Sequence, residues 1–150
     1  MIKIICVGKI KESFFRDAIL EYKKRISKYT KIEIIELPDY HYDNKKTIET
    51  EYQEIMKVFN QTDYNILLDI SGNNLDSMEL AKKIDNILSI NSNITFIIGG
   101  SLGVSDKLRE QCNYRLSFSK MTFPHQLFRV ILLEQIYRSF KINNHEEYHK

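Results

Sequence analysis

Apolar positions along this chain alternate between two rhythms. Ile2–Val7 is a short continuous apolar run closed by Gly8, the pattern of a buried strand. From Phe14 to Tyr29 the residues Phe15, Ala18, Tyr22, Ile26 and Tyr29 return at helical spacing, with Lys23, Lys24, Arg25 and Lys28 between them. Ile32–Leu37 is a second strand run, stopped by Pro38, and Asp39–Lys46 is a polar loop bearing Tyr and His. Ile48, Tyr52, Ile55, Met56 and Phe59 mark a second amphipathic helix. Tyr64–Ile70 predicts a third strand, closed by the turn Gly72-Asn73-Asn74. Asp76 with Glu79 makes a capping box for a helix through Leu88. Ile94–Ile98 is a fourth strand, Ser105 caps a short helix to about Gln111, and Tyr114–Phe118 is a brief fifth strand. Pro124 suits the first turn of a last helix running to about Ile142, with Thr122 or Phe123 near its cap.

Strands separated by helices predict a single α/β domain over residues 1–150, with a mostly parallel sheet covered by helices on both faces. Ligands of such sheets sit beyond the carboxyl ends of the strands. Three strand-following segments therefore matter most: Asp69–Asn74, Gly99–Gly103 and Ser119–Pro124.

Composition changes this picture little. The net charge of +2 gives no overall basic field, but the charge is unevenly placed. Residues 1–40 hold nine Lys/Arg against six acids, residues 41–100 five against nine, and residues 101–150 eight against five. Basic ends and an acidic middle permit a polyanion on one side of the molecule. The two cysteines, Cys6 and Cys112, stand far apart with no CxxC pair, so both read as buried free thiols of a reducing compartment. The opening apolar stretch is too short for a signal peptide, and no segment is long enough to cross a bilayer, so a cytoplasmic location is expected.

Three features carry candidate chemistry. Three of the five glycines fall in Gly99–Gly103, directly after a strand, where a ligand can approach the backbone or the chain can simply turn. The order is not GxGxxG, no ribose-binding acid follows at the expected distance, and no GK[ST] is present; nicotinamide and P-loop sites are disfavoured. The loop SFSKMTFPHQ is apolar where loops are normally polar. Phe118, Met121 and Phe123 either wall a flat aromatic ligand such as adenine or plug the core. Asp69 at the end of the third strand is open to ligand contact or to local turn bonding.

The last helix is apolar almost all round, from Leu127 and Phe128 to Tyr137 and Phe140, which predicts cover by a second copy in a homodimer. His125, Arg129, Glu134 and Arg138 are its polar exceptions, and surface or interface ion pairs explain Glu134 with Arg129 or Arg138. The tail holds His145, Tyr148, His149 and Lys150, types suited to base stacking and phosphate contact, or to a solvated end. Two His four apart without HExxH or a cysteine pair do not make a metal site.

The segments IIGGSLGVS, LSFSKMTFPHQLFRVILLEQIYRSFKI and YHK, with VGKIKE near the start, resemble the ribosomal RNA large-subunit methyltransferase H family. That family is a group within the SPOUT (α/β-knot) S-adenosylmethionine-dependent methyltransferases. The resemblance runs over essentially the whole chain, strongest from Ile94 to Lys150 and weakest around Asp39–Thr62, and Leu102 stands where members often carry a polar residue. It implies a homodimer with a C-terminal trefoil knot. It further implies S-adenosyl-L-methionine held by Leu68, Gly99, Gly100, Gly103, Phe118, Ser119, Lys120, Met121, Thr122 and Phe123. The implied reaction methylates N3 of a pseudouridine in the helix 69 stem-loop of 23S rRNA on assembled ribosomes. His125, Arg138, Tyr148 and His149 are expected near the target base, with His149 or His125 assisting deprotonation. Lys9, Lys11, Lys23, Lys24 and Lys28 are further candidates for phosphate contact. A knot methyltransferase acting on tRNA and a non-catalytic ribosome-associated dimer remain as alternatives.

Overall fold

The computed structural model describes residues 1–150. Strands and helices alternate: β1 (Ile2–Val7), α1 (Ser13–Ile26), β2 (Ile32–Leu37), α2 (Asn44–Val58), β3 (Tyr64–Asn74), α3 (Ser77–Leu88), β4 (Ile94–Ile98), α4 (Asp106–Gln111), β5 (Tyr114–Ser117) and α5 (His125–Asn143). The five strands form one all-parallel sheet in the order β2-β1-β4-β3-β5. Central β4 is buried at every residue, as its unbroken apolar run requires.

Helices cover both faces. On one, Ile4, Phe96 and Ile66 meet Ile19 and Ile26 of α1, Leu80 and Ile84 of α3, and Leu132, Leu133 and Ile136 of α5. On the other, Ile5, Leu67 and Ile97 meet Ile55 of α2 and Leu108 of α4. Full burial of a side chain such as Phe96 stabilises the fold by roughly 1.5–3 kcal/mol. Cys6 is buried as expected, but Cys112 is only half-buried because it follows the end of α4 at the flank of the smaller core. Burial pushes the Cys6 thiol up to about 11 and the Cys112 thiol up to about 12, so neither is a ready nucleophile.

Several boundaries differ from the sequence pattern: α1 stops at Ile26, α2 begins at Asn44 inside the expected loop, and β5 stops at Ser117. β3 does not end in a turn at Gly72-Asn73-Asn74: the ladder to β5 breaks after Leu68, and Asn73 and Asn74 rejoin it opposite Leu116 and Ser117. The side-chain amides of both asparagines secure this return by donating to the Arg115 and Ser117 carbonyls. Pro124 lies just outside α5 as its N-cap, and neither Thr122 nor Phe123 caps it.

α5 is covered on one side within its own chain, by α1 and α3. The uncovered side keeps Leu127 exposed and Ile131 half-buried, while half-buried Val130 packs against the core of its own chain. Its first turns lie back beside β1, at the opposite side of the sheet from β5. The Lys11 and Glu12 amides donate to Gln126 Oε1 (3.1 and 3.3 Å). Residues 118–124 thus carry the chain from the end of β5 past the other strand ends to the start of α5. No helix is long and apolar enough to cross a membrane.

Candidate active site

β3, β4 and β5 end along one rim, and the segments leaving them enclose a cavity of about 370 Å³. Leu68, Ile98 and Leu116 form its floor at the strand tips. The Gly99–Gly103 turn forms one wall, where the Gly103 N–H donates to the Gly100 carbonyl at 3.1 Å and Gly103 takes a φ of +90°. The Phe118–Phe123 loop forms the other. Phe118 meets Phe128 of α5 edge-on with ring centroids 5.1 Å apart, and Phe123 stacks on the same ring at 6.0 Å. The Met121 N–H donates to Ser119 Oγ at 3.0 Å, and Ser117 Oγ donates to the Ser119 carbonyl at 3.1 Å, fixing the loop's path.

Of the ten residues expected to hold a cofactor, nine line this cavity. Lys120 does not; it is exposed outside the lining. Met121 stands at the rim, 74% exposed. The sequence pattern did not single out Leu116, Ser117, Phe128 or Arg109, which also face the space. Leu116 and Ser117 adjoin the apolar loop and could have been found by that position. Arg109 carries no local signal, since α4 brings it across from the next layer.

Asp69 also lines the cavity, with both carboxylate oxygens engaged inside the protein. Its Oδ1 accepts from the Ser71 N–H and hydroxyl, and its Oδ2 accepts from Arg109 Nε at 2.9 Å. Burial alone would raise this carboxyl, but the bonds from Arg109 and Ser71 outweigh it and hold it below the usual range. The expected turn bonding, to Ser71, is thus present together with a long-range pair to Arg109.

His125 opens α5 and faces the cavity. Burial, helped by the charge of Arg129, pushes its imidazole below the usual 6.5, so it is neutral at pH 7 and able to accept a proton. Arg129 one turn on is 3% exposed. It donates to Glu36 Oε2 at 2.6 Å and to the Gly8 carbonyl at 3.1 Å. Glu36 Oε2 also accepts from the Ile10 N–H. Of the two partners expected for Glu134, Arg138 pairs with it, while buried Arg129 pairs with partly exposed Glu36 because the helix start is pressed against the ends of β1 and β2.

Arg138, Tyr148 and His149 lie apart from His125. Thirteen residues along a helix separate His125 from Arg138, about 20 Å. Glu134 Oε1 accepts from Arg138 Nε and Nη2 at 3.0 and 2.7 Å and from the Tyr148 hydroxyl at 3.1 Å. Arg138 Nη1 is 3.1 Å from His149 Nδ1, and the guanidinium lies over the Tyr148 ring at 4.6 Å. Burial, then Glu134, pushes the Tyr148 phenol up to about 12, so it stays a donor. No group of three or more His, Cys, Asp or Glu side chains is placed to hold a metal ion.

The last helix of this parallel sheet thus begins beyond the strand ends, beside an apolar slot with a glycine turn. The SPOUT family profile, described as "Predicted SPOUT methyltransferase", matches residues 1–149. A protein of Methanococcus vannielii called putative ribosomal RNA large subunit methyltransferase H is 54% identical, with 99% of each chain covered. A ribosomal RNA large subunit methyltransferase H of Clostridium botulinum is 50% identical at the same coverage. A probable methylase family protein of Haemophilus influenzae has a similar fold, with a TM-score of 0.59 at 13% identity over 99% of this chain and 70% of that one. The chain belongs to the SPOUT methyltransferase family.

Proposed function

We propose that this chain is an S-adenosylmethionine-dependent ribosomal RNA methyltransferase working as a cytoplasmic homodimer. Its target is N3 of a pseudouridine in the helix 69 stem-loop of 23S rRNA in the assembled ribosome. The observation that carries the reading is the cavity between the Gly99–Gly103 turn and the Phe118–Phe123 loop, in a chain half-identical to relatives named for rRNA methylation.

The residues present fit the adenosyl group. The cavity of about 370 Å³ lies in the range of pockets for ligands of that size. Its floor at Leu68 and Leu116 and its wall at Phe118 are apolar, and the glycines of the opposite wall leave backbone uncovered by side chains. A neutral His125 places no positive charge against a sulfonium. When bound, S-adenosylmethionine supplies an activated methyl group.

The chain's own residues then orient the target base and handle its proton. The imide N–H of the base must be lost as the nitrogen attacks, and His125 is the neutral acceptor at the cavity. Arg138, Tyr148 and His149 stand too far along the helix to serve the same cavity within one protomer. In a two-fold dimer across the uncovered face of α5, they serve the partner's cavity instead. Leu127 and half-buried Ile131 supply apolar contact for such a dimer. Exposed Lys9, Lys11, Lys24 and Lys28, with half-buried Lys23, are available for phosphate.

Purified protein with labelled S-adenosylmethionine should place one methyl group on 23S rRNA in ribosomes from cells lacking the gene, located by mass spectrometry of the fragments. Sedimentation should give twice the chain mass. Methylation of bulk tRNA but not ribosomes, or no transfer to either, overturns the assignment.

A further inference from the structure

The glycine turn of the cavity has a buried acid behind it. Glu51 lies on α2 at helical spacing between Ile48 and Ile55 and is only 5% exposed. Its Oε2 accepts from the Tyr40 N–H at 3.1 Å, its Oε1 has no partner, and no cation pairs with it. A methyl group added to Gly100 would sit 2.4 Å from that free oxygen. The small gap around the carboxyl is walled by Gly99, Gly100 and Gly103, and the same three glycines line the large cavity. The turn is thus a thin partition, with ligand space in front and a carboxyl behind.

An unpartnered carboxylate oxygen at this depth is unfavourable, and the neutral form relieves the cost. Burial pushes the group above the usual range; the Tyr40 amide opposes, Asp39 adds, and His41 opposes. A neutral carboxyl costs less at this depth, and its free oxygen stands against the open side of Gly100, where a Cβ would meet it.

We propose that Glu51 is a positioning residue for the adenosyl ligand, holding the Gly99–Gly103 turn from behind and tying it to the loop at Tyr40. This rests on the reading of the cavity as the cofactor site. A Cβ at position 100 would then press on the Glu51 carboxyl, and ligand affinity depends on a side chain that does not line the ligand cavity.

Calorimetric titration with S-adenosylhomocysteine tests this on wild type, Glu51→Gln, Glu51→Ala, Gly100→Ala and the double variant Glu51→Ala/Gly100→Ala. Glu51→Ala should weaken binding about fivefold and Gly100→Ala about tenfold, with the double variant clearly less affected than the product of the two. Glu51→Gln, which keeps a neutral donor, should bind within about twofold of wild type. In methylation assays the loss in Glu51→Ala should appear in the donor KM, with kcat within about twofold. Amide exchange of the ligand-free protein should speed up around residues 39–42 and 100–104 in Glu51→Ala but not in Glu51→Gln. Multiplicative losses, a kcat defect with unchanged KM, or unaltered exchange and affinity in Glu51→Ala would overturn the proposal. A wild type that does not bind S-adenosylhomocysteine, while Glu51→Ala still loosens both segments, would instead reject the cofactor reading and leave the Glu51 link standing.

Discussion

The two ends of α5 are built alike in sequence and used differently. Both carry a basic residue among apolar ones, Arg129 near the start and Arg138 two and a half turns on. At the start the arginine is buried, and its partners, Glu36 and the Gly8 carbonyl, belong to other elements. Farther along, Arg138 bonds to Glu134 on its own helix and to the tail at His149, with the Tyr148 ring beneath its guanidinium, at a partly exposed surface. Charge at the first end fixes where the cavity-facing His125 stands. Charge at the second end is a self-contained cluster with spare hydrogen-bonding capacity. A buried pair that loses one partner costs several kcal/mol, whereas a partly exposed i,i+4 pair is worth less than about 1 kcal/mol.

The sharpest break of this contrast is Arg129→Ala. It removes the only guanidinium reaching Gly8, strips Glu36 of its cation and leaves a void beside the strand ends. Glu36 is partly solvated, which limits the penalty. A loss of about 3 kcal/mol is expected, read as a lower urea midpoint at unchanged slope. Arg138→Ala should lose less than about 1 kcal/mol in the same titration. Equal losses would dissolve the distinction between the two ends.

Next in size is the effect on chemistry. His125→Ala should lower turnover about a hundredfold while S-adenosylhomocysteine affinity changes less than about threefold. The acid limb of the pH profile should lie below 6.5 in the wild type, because the folded value is depressed from that figure, and vanish in the variant. The sign for stability is the same. The unfolded chain binds a proton at His125 more readily than the folded one, so stability falls as pH drops through the region below 6.5 and recovers above it. A wild-type acid limb above 6.5 would show that another group titrates.

What the sequence could show of these regions follows from the range of the interactions. β1, β2, β4 and α4 were legible to the residue because unbroken apolar runs and a Ser105 cap are local signals. The Asp76–Glu79 capping box was equally local. The end of β3 was misread because Gly72-Asn73-Asn74 spells a turn, while the asparagine amides bond to carbonyls more than forty residues away. Phe118 and Phe123 stood out as apolar residues in a loop, but their common support, Phe128, was hidden among many apolar neighbours on α5. Glu51 left a faint trace, an acid between Ile48 and Ile55 on an otherwise apolar stripe; its meaning depends on a glycine nearly fifty residues later. No pattern separated Arg129 from Arg138, since the difference lies in what each end of the helix is pressed against.

The smallest effect bears on the second end most directly. If Arg138, Tyr148 and His149 serve the partner's cavity, then His125→Ala and Arg138→Ala damage two halves of one composite site. Each homodimer is then defective at both of its sites. After mixing and re-equilibrating subunits, half of the dimers are heterodimers, and each carries one site with both groups intact. Activity should recover to roughly a quarter of the wild-type value, as a two-fold arrangement requires. If the groups instead met within one chain, the heterodimer would hold one site lacking His125 and one lacking Arg138, and mixing would restore nothing. Recovery is thus read against a baseline of two inactive parents, so even a modest rise distinguishes a site shared across the uncovered face of α5 from one confined to a single protomer.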